Sequence, residues 1–171
     1  MIRKIAITGP ESTGKSLLAE QLAGYYQTVW VPEYAREYLE LLGKPYEEHD
    51  ILLIAKGQVS LEESKSKDAT RFLFCDTELL VTKIWSEVKY KRCAPWILDT
   101  LEKHHYDLYL LCDIDLPWQY DPLREHPDRR QYLFDLYHHE LQNRRYPFAV
   151  VSVTGPARLN SAIEIIDHFA F

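Results

Sequence analysis

The feature that most constrains this chain is the octapeptide Gly9-Pro10-Glu11-Ser12-Thr13-Gly14-Lys15-Ser16. Its G-x-x-x-x-G-K-S spacing describes a loop that wraps an anion, provided a strand precedes it and a helix follows. Both neighbours are present. Ile5-Ala6-Ile7-Thr8 is a short apolar run stopped by glycine and proline, which reads as a buried strand. On the far side Leu18, Leu22 and Tyr25 recur at helical spacing. A strand turning through glycines into a helix presents backbone N–H groups and a helix N-terminus to phosphate oxygens. Gly9 and Gly14 allow the close wrap, with Glu11, Ser12, Thr13 and Leu17 along the same path. Lys15 brings a point charge to the β- and γ-phosphates of a nucleotide, and Ser16 brings a hydroxyl to Mg2+. An incidental glycine turn is the competing reading, and the strand–loop–helix context argues against it.

The rest of the chain continues the alternation. Strand-like runs fall at Thr28–Val31, Arg71–Cys75, Asp107–Cys112 and Phe148–Val153. Helical periodicity marks Glu33–Leu42, Glu47 to about Ser66, the stretch with Val81, Ile84, Trp85 and Val88, and Pro95–Lys103. It returns with Leu133, Leu136, Tyr137 and Leu141, and again with Leu159, Ala162, Ile163 and Ile166. Strands that alternate with helices imply a parallel sheet covered on both faces. The expectation is one α/β domain over 1–171, the three-layer fold of P-loop NTPases. Its five-stranded parallel sheet would be flanked by helices, with the irregular segment 113–127 as a short lid.

Composition narrows the function classes. A net charge of −6 argues against a dedicated nucleic-acid binder. Cys75, Cys93 and Cys112 form no C-x-x-C pair and leave an odd number, which suits reduced thiols. The amino terminus runs directly into a strand with no signal-peptide core, and no apolar run is long enough for a membrane span. A cytoplasmic protein without membrane or nucleic-acid partners is expected, and the residues carry no signature of an oligomeric state. Neither His104-His105 nor His138-His139-Glu140 has metal-ligand spacing, so Mg2+ with a nucleotide is the one metal anticipated.

Ligands of such sheets sit outside the carboxyl ends of the strands, which ranks the residues following each strand. Asp76 stands at a strand tip, where a carboxylate binds Mg2+ directly or through water; capping the next helix is its alternative role. Thr77 follows it, where many motor ATPases place a water-polarising Glu, so transfer to a bound acceptor is favoured over hydrolysis. Glu33, after the second strand, either takes the proton of an acceptor hydroxyl or serves the first turn of its helix. Tyr34 could stack on a planar base and Arg36 could pair with an anionic group. In the irregular segment Arg124 is the candidate for the transferring phosphate, while Arg129 and Arg130 are assigned to the following helix. Solvated ion pairs with Glu125 and Asp128 are the alternative for these arginines.

These blocks, taken together, resemble a known family. The P-loop, Pro32-Glu33-Tyr34-Ala35-Arg36-Glu37, Phe74-Cys75-Asp76-Thr77-Glu78-Leu79-Leu80-Val81-Thr82 and Pro117-Trp118-Gln119-Tyr120-Asp121-Pro122-Leu123-Arg124 are similar, in order, to the ribosylnicotinamide kinase domain of NadR-type NAD-biosynthesis proteins. The resemblance implies transfer of the γ-phosphate of Mg-ATP to the 5′-hydroxyl of nicotinamide riboside. It further implies that Lys15 and Ser16 hold phosphates and Mg2+, that Glu33 and Asp76 are the acids near the acceptor hydroxyl and the metal, with either of them the base, and that Arg124 is the lid arginine; Tyr34, Arg36 and Thr77 complete the candidates on the acceptor side. Thr154 and Pro156, around Gly155, fall where related kinases pass the adenine ring. The chain begins at the P-loop strand and lacks the His-x-Gly-His motif of the adenylyltransferase domain of bifunctional members, so no adenylation is expected. The alternatives are a kinase for another nucleoside or nucleotide, and a P-loop regulatory ATPase. A Ras-like GTPase is excluded, since neither Asn143 nor Asn160 begins an Asn-Lys-x-Asp guanine reader.

Overall fold

The computed structural model describes residues 2–171. The strands are β1 (Arg3–Thr8), β2 (Trp30–Val31), β3 (Phe72–Asp76), β4 (Leu108–Cys112) and β5 (Phe148–Val151). The helices are α1 (Lys15–Tyr25), α2 (Tyr34–Leu42), α3 (Glu48–Lys65), α4 (Leu79–Tyr90), α5 (Pro95–Leu101), α6 (Arg130–Asn143) and α7 (Pro156–His168). All strand pairs are parallel, in the order β2-β3-β1-β4-β5. This is the α/β P-loop NTPase fold anticipated from the alternation.

The side-chain period of two explains the layers. In β1, Ile5 and Ile7 face α1 and α7, joining Leu18, Leu22, Ala162 and Ile166, while Ala6 faces the opposite layer. In β3, Phe72 and Phe74 follow the first set; Leu73 and Cys75 pack with Ile51, Leu80, Ile84 and Leu141 from α3, α4 and α6. Both faces of these strands are apolar because both are covered, as parallel sheets require.

β1 is central, paired with β3 on one side and β4 on the other. The chain leaves it toward β2 and later crosses to β4, so the carboxyl end of β1 is where a crevice opens. Register places Ile7 beside Asp76 and Thr8 beside Leu111, bringing the β3 and β4 tips level with the start of the loop.

Two strands are shorter than their apolar runs. The Thr28 hydroxyl donates to the Phe72 carbonyl at 2.7 Å, so the edge strand begins only at Trp30. At the other edge Ser152 turns its hydroxyl to Asp113 (3.0 Å) and Val153 adopts φ 68°, ending β5 at Val151.

Candidate active site

The loop between β1 and α1 closes on itself. Gly9 holds φ 129°, and a Cβ there would meet the Cys112 carbonyl oxygen at 2.9 Å. Gly14 holds φ 75°, and a Cβ there would meet the Leu116 side chain at 2.9 Å. Only glycine satisfies both conditions. The Thr13 hydroxyl donates to the Pro10 carbonyl at 2.8 Å, and the Lys15 ammonium donates to Gly9 and Pro10 carbonyls at 3.0 and 2.7 Å.

The irregular segment lies over this loop and is fastened to it. Glu11 accepts the backbone N–H groups of Glu125 and His126, at 3.1 and 3.0 Å. Ser12 Oγ accepts the Gln119 N–H at 2.9 Å. Arg124 donates to the Gln119 carbonyl at 2.6 Å and reaches Ser12 Oγ at 3.5 Å. Glu11 and Ser12 thus spend their side chains on the lid, leaving the loop backbone to face a ligand. Further out, Glu125 accepts from Lys89 (2.9 Å) and Tyr46 (2.7 Å), and Asp121 accepts from Arg36 (2.8 Å).

Between loop and lid runs a cavity of about 520 Å3, a size ordinary for a small-molecule site. Gly9–Leu17 and Arg124 line it together with the apolar and aromatic side chains of Leu39, Val81, Ile84, Trp85 and Tyr137. Glu33 and Arg36 lie on its wall. Glu33 stands at the N-cap of α2 without a side-chain capping bond, so its carboxylate is left to the cavity.

Asp76 is 1% exposed at the tip of β3, and neither carboxylate oxygen has a hydrogen-bond partner. Burial and the nearby Glu33 carboxylate push its carboxyl up to about 6, against the pull of the Lys15 ammonium. It does not cap the next helix. That role belongs to Glu78, which accepts the Leu80 N–H at 2.5 Å and the Thr8 hydroxyl at 2.9 Å. Burial raises Glu78 to about 7, and its two oxygens tie the β1 tip to the first turn of α4. A buried carboxylate without partners, beside Lys15 and the hydroxyl of Ser16, fits a divalent cation. Asp76 and Ser16 are the residues that would hold it, and the two tight glycines fit a polyphosphate. No separate cluster of metal-ligating side chains occurs among the described residues.

Of the anticipated residues, Tyr34, Asp76, Thr77, Thr154 and Pro156 lie off the cavity wall. Tyr34 leaves the site: its ring lies on Gly57 of α3, close enough that a Cβ there would fall 2.0 Å from Tyr34 Cε1. Thr77 is buried with an unpartnered hydroxyl at φ 69° and does not line the cavity. Thr154 and Pro156 are exposed, outside the cavity walls. Arg36 is at the wall, but its guanidinium is held by Asp121 and lies 3.7 Å from Glu40. Arg130 belongs to the site's frame rather than only to its helix, donating to the Leu116 and Ser12 carbonyls at 2.8 and 3.1 Å. Trp85, Tyr137, Glu78 and Arg158 were not among the sequence candidates. Only Glu78 carried a signal, an acid just ahead of an apolar helical run.

Fold and site together define a P-loop α/β domain. Residues 4–158 match the AAA domain family, and the chain belongs to it. It is 30% identical over 129 residues to the "Trifunctional NAD biosynthesis/regulator protein NadR" of Escherichia coli (strain K12), covering 72% of this chain and 31% of that protein. The protein of the same name from Salmonella typhimurium (strain LT2) gives the same identity and coverage. The chain therefore spans about a third of the length of these relatives. Among solved structures, NadR in complex with NR superimposes with a TM-score of 0.83 at 20% identity, covering 96% of this chain and 50% of that one. Thymidylate kinase from Ehrlichia chaffeensis shares the fold at a TM-score of 0.65 and 15% identity, each chain covered to 97%.

Proposed function

We propose that this chain is an ATP-dependent kinase that phosphorylates the 5′-hydroxyl of nicotinamide riboside, giving nicotinamide mononucleotide and ADP. One observation carries the reading. A single cavity joins the phosphate loop to an apolar and aromatic pocket, with a free carboxylate, Glu33, on its wall. Identity to NadR over 72% of the chain supports the choice of acceptor.

The roles follow from position. Gly9–Ser16 hold the triphosphate through backbone N–H groups, with the Lys15 ammonium on the β- and γ-phosphates. Ser16 and Asp76 would hold Mg2+, which would supply positive charge to the phosphate oxygens. Asp76 has its proton held on by burial and by Glu33, so a dication beside it favours the ionised form and relieves the repulsion between the two acids. The acceptor's planar ring lies against Trp85 and Tyr137, which sets its hydroxyl toward the loop. Glu33 takes the hydroxyl proton as the oxygen bonds to the γ-phosphorus and the bond to ADP breaks. Arg124 supplies a guanidinium to the transferring group, and the lid excludes water. Thr154, on the exposed turn before α7, and Pro156, the first residue of that helix, flank the adenine outside the cavity.

An acceptor already bearing a phosphate is disfavoured, because Arg36 is committed to Asp121. A cytoplasmic setting suits three cysteines without disulfide partners, and no described helix is long and apolar enough to cross a membrane. The test is ATP turnover with and without nicotinamide riboside. ADP should form in step with nicotinamide mononucleotide. ATP hydrolysis indifferent to any nucleoside would refute the kinase.

A further inference from the structure

The loop's carbonyl oxygens need partners as much as its N–H groups do. Those of Gly9 and Pro10 take the Lys15 ammonium, and that of Gly14 takes the Leu18 N–H at 3.1 Å. The Ser12 carbonyl takes Arg130 Nη2 at 3.1 Å, and the Thr13 carbonyl takes Arg158 Nη2 at 2.8 Å. Neither Arg130 nor Arg158 lines the cavity, so both guanidinium groups hold the loop's carbonyls from outside it. No peptide bond is cis, and in a trans peptide the C=O and N–H point in opposite directions. A carbonyl held outward at Thr13 therefore turns the Gly14 N–H toward the cavity.

Arg158 does more than meet one carbonyl. It is 6% exposed, on the first turn of α7. Nη1 donates to Asp115 at 2.8 Å and to the Val153 carbonyl at 2.9 Å; Nη2 also reaches the Asp113 carbonyl at 3.4 Å. One planar fork thus joins the phosphate loop, the segment leaving β4 and the turn leaving β5. Val153 is a β-branched residue at φ 68°, a conformation that persists only where its surroundings impose it, and this bond is one such restraint. The ion pair with Asp115 balances the charge, so what Arg158 adds is orientation rather than a long-range field.

We propose that Arg158 is a positioning residue for nucleotide binding, locking the Thr13–Gly14 peptide with its N–H toward the phosphates. The inference rests on the reading of the loop as the ATP site. A lysine cannot replace it, since one ammonium does not span Thr13, Val153 and Asp115 as the fork does.

Equilibrium titrations of the full chain with Mg-ADP, and separately with nicotinamide riboside, test it on wild type, Lys15→Ala, Arg158→Ala and Arg158→Lys. Arg158→Ala should weaken ADP binding by roughly tenfold to a hundredfold, the scale of a lost charged hydrogen bond. Riboside affinity should stay within about twofold. Millimolar guanidinium should restore part of the ADP affinity of Arg158→Ala and leave wild type unchanged. Arg158→Lys should fall between the two, and it carries the test should the alanine variant not fold. ADP affinity equal to wild type in the Arg158 variants, with Lys15→Ala weakened, would overturn the inference and leave the loop reading standing. An equal loss of ADP and riboside affinity would make Arg158 a general support of the fold and overturn it too. Indifference of ADP binding to Lys15→Ala would remove the loop reading itself, and this inference with it.

Discussion

Replacing Asp76 by asparagine should stabilise the ligand-free protein at neutral pH, relative to wild type, while weakening its hold on Mg2+. An aspartate in a denatured chain titrates near 3.8, and this one titrates at about 6 in the fold. The difference corresponds to ~3 kcal/mol of native-state penalty on the ionised form. The sign follows from which state binds the proton more tightly. Below 3.8 the carboxyl is neutral in both states and the native protein carries no penalty. As pH climbs through about 6 the native protein must accommodate a buried, unpartnered anion, and that proton-linked stability is lost. An asparagine cannot ionise, so the stability difference between Asp76→Asn and wild type should grow by about 3 kcal/mol from about pH 4 to about pH 8. In a domain of this size that is a gain of roughly 6–12 °C in relative Tm. Comparing the two proteins at each pH cancels the titrating groups that are not coupled to Asp76, and following the change with pH removes the fixed cost of burying an amide. Thermal or urea unfolding in the absence of Mg2+ and nucleotide measures it. Mg-ADP should then stabilise wild type by more than it stabilises the variant. A difference independent of pH across that range would show that Asp76 is not an ionising buried carboxylate, and the reasoning would fail.

Other substitutions test the remaining assignments. Lys15→Ala should lower kcat by at least about a hundredfold in the coupled assay, the scale for removing a stabiliser of transition-state charge; near-normal turnover would take the lysine out of the mechanism. Glu33→Gln should lower single-turnover rates by about 10²- to 10⁴-fold at saturating Mg2+, while Asp76→Asn should raise the Mg2+ concentration needed for half activity. Reversal of that pattern would exchange the two acids. Gly57→Ala should cost about 1–3 kcal/mol of unfolding free energy, since its methyl would fall 2.0 Å from Tyr34 Cε1. Adding Tyr34→Ala should recover part of that loss without raising the riboside KM, whereas a raised KM would return Tyr34 to the site.

The alternation of elements, the parallel sheet and the phosphate loop were legible in the residues because each is set by local chemistry. Apolar runs of strand length and apolar residues at helical spacing do not depend on distant partners for their signal. The octapeptide is recognisable because glycine at Gly9 and Gly14 answers a backbone requirement that no other residue meets. Asp76 and Glu33 could be ranked through topology alone, since strand tips of a parallel sheet converge. Which acid caps a helix was a different matter. Asp76 and Glu78 are both acids near the start of α4, and packing alone gives the cap to Glu78 and leaves Asp76 bare.

Tertiary structure decided the residues whose roles depend on what lies across from them. Tyr34 follows a site acid in the chain, yet its helix turns the ring onto Gly57 rather than into the cavity. Arg130 and Arg158 look like ordinary helix residues until folding carries them behind the loop, where the Ser12 and Thr13 carbonyls need donors. Trp85 and Tyr137 carry helical spacing identical to core residues, and only the space left between α2, α4, α6 and the lid makes them a pocket wall. Periodicity says that a side chain turns inward; whether it meets another side chain or a cavity is fixed by elements far away in the sequence.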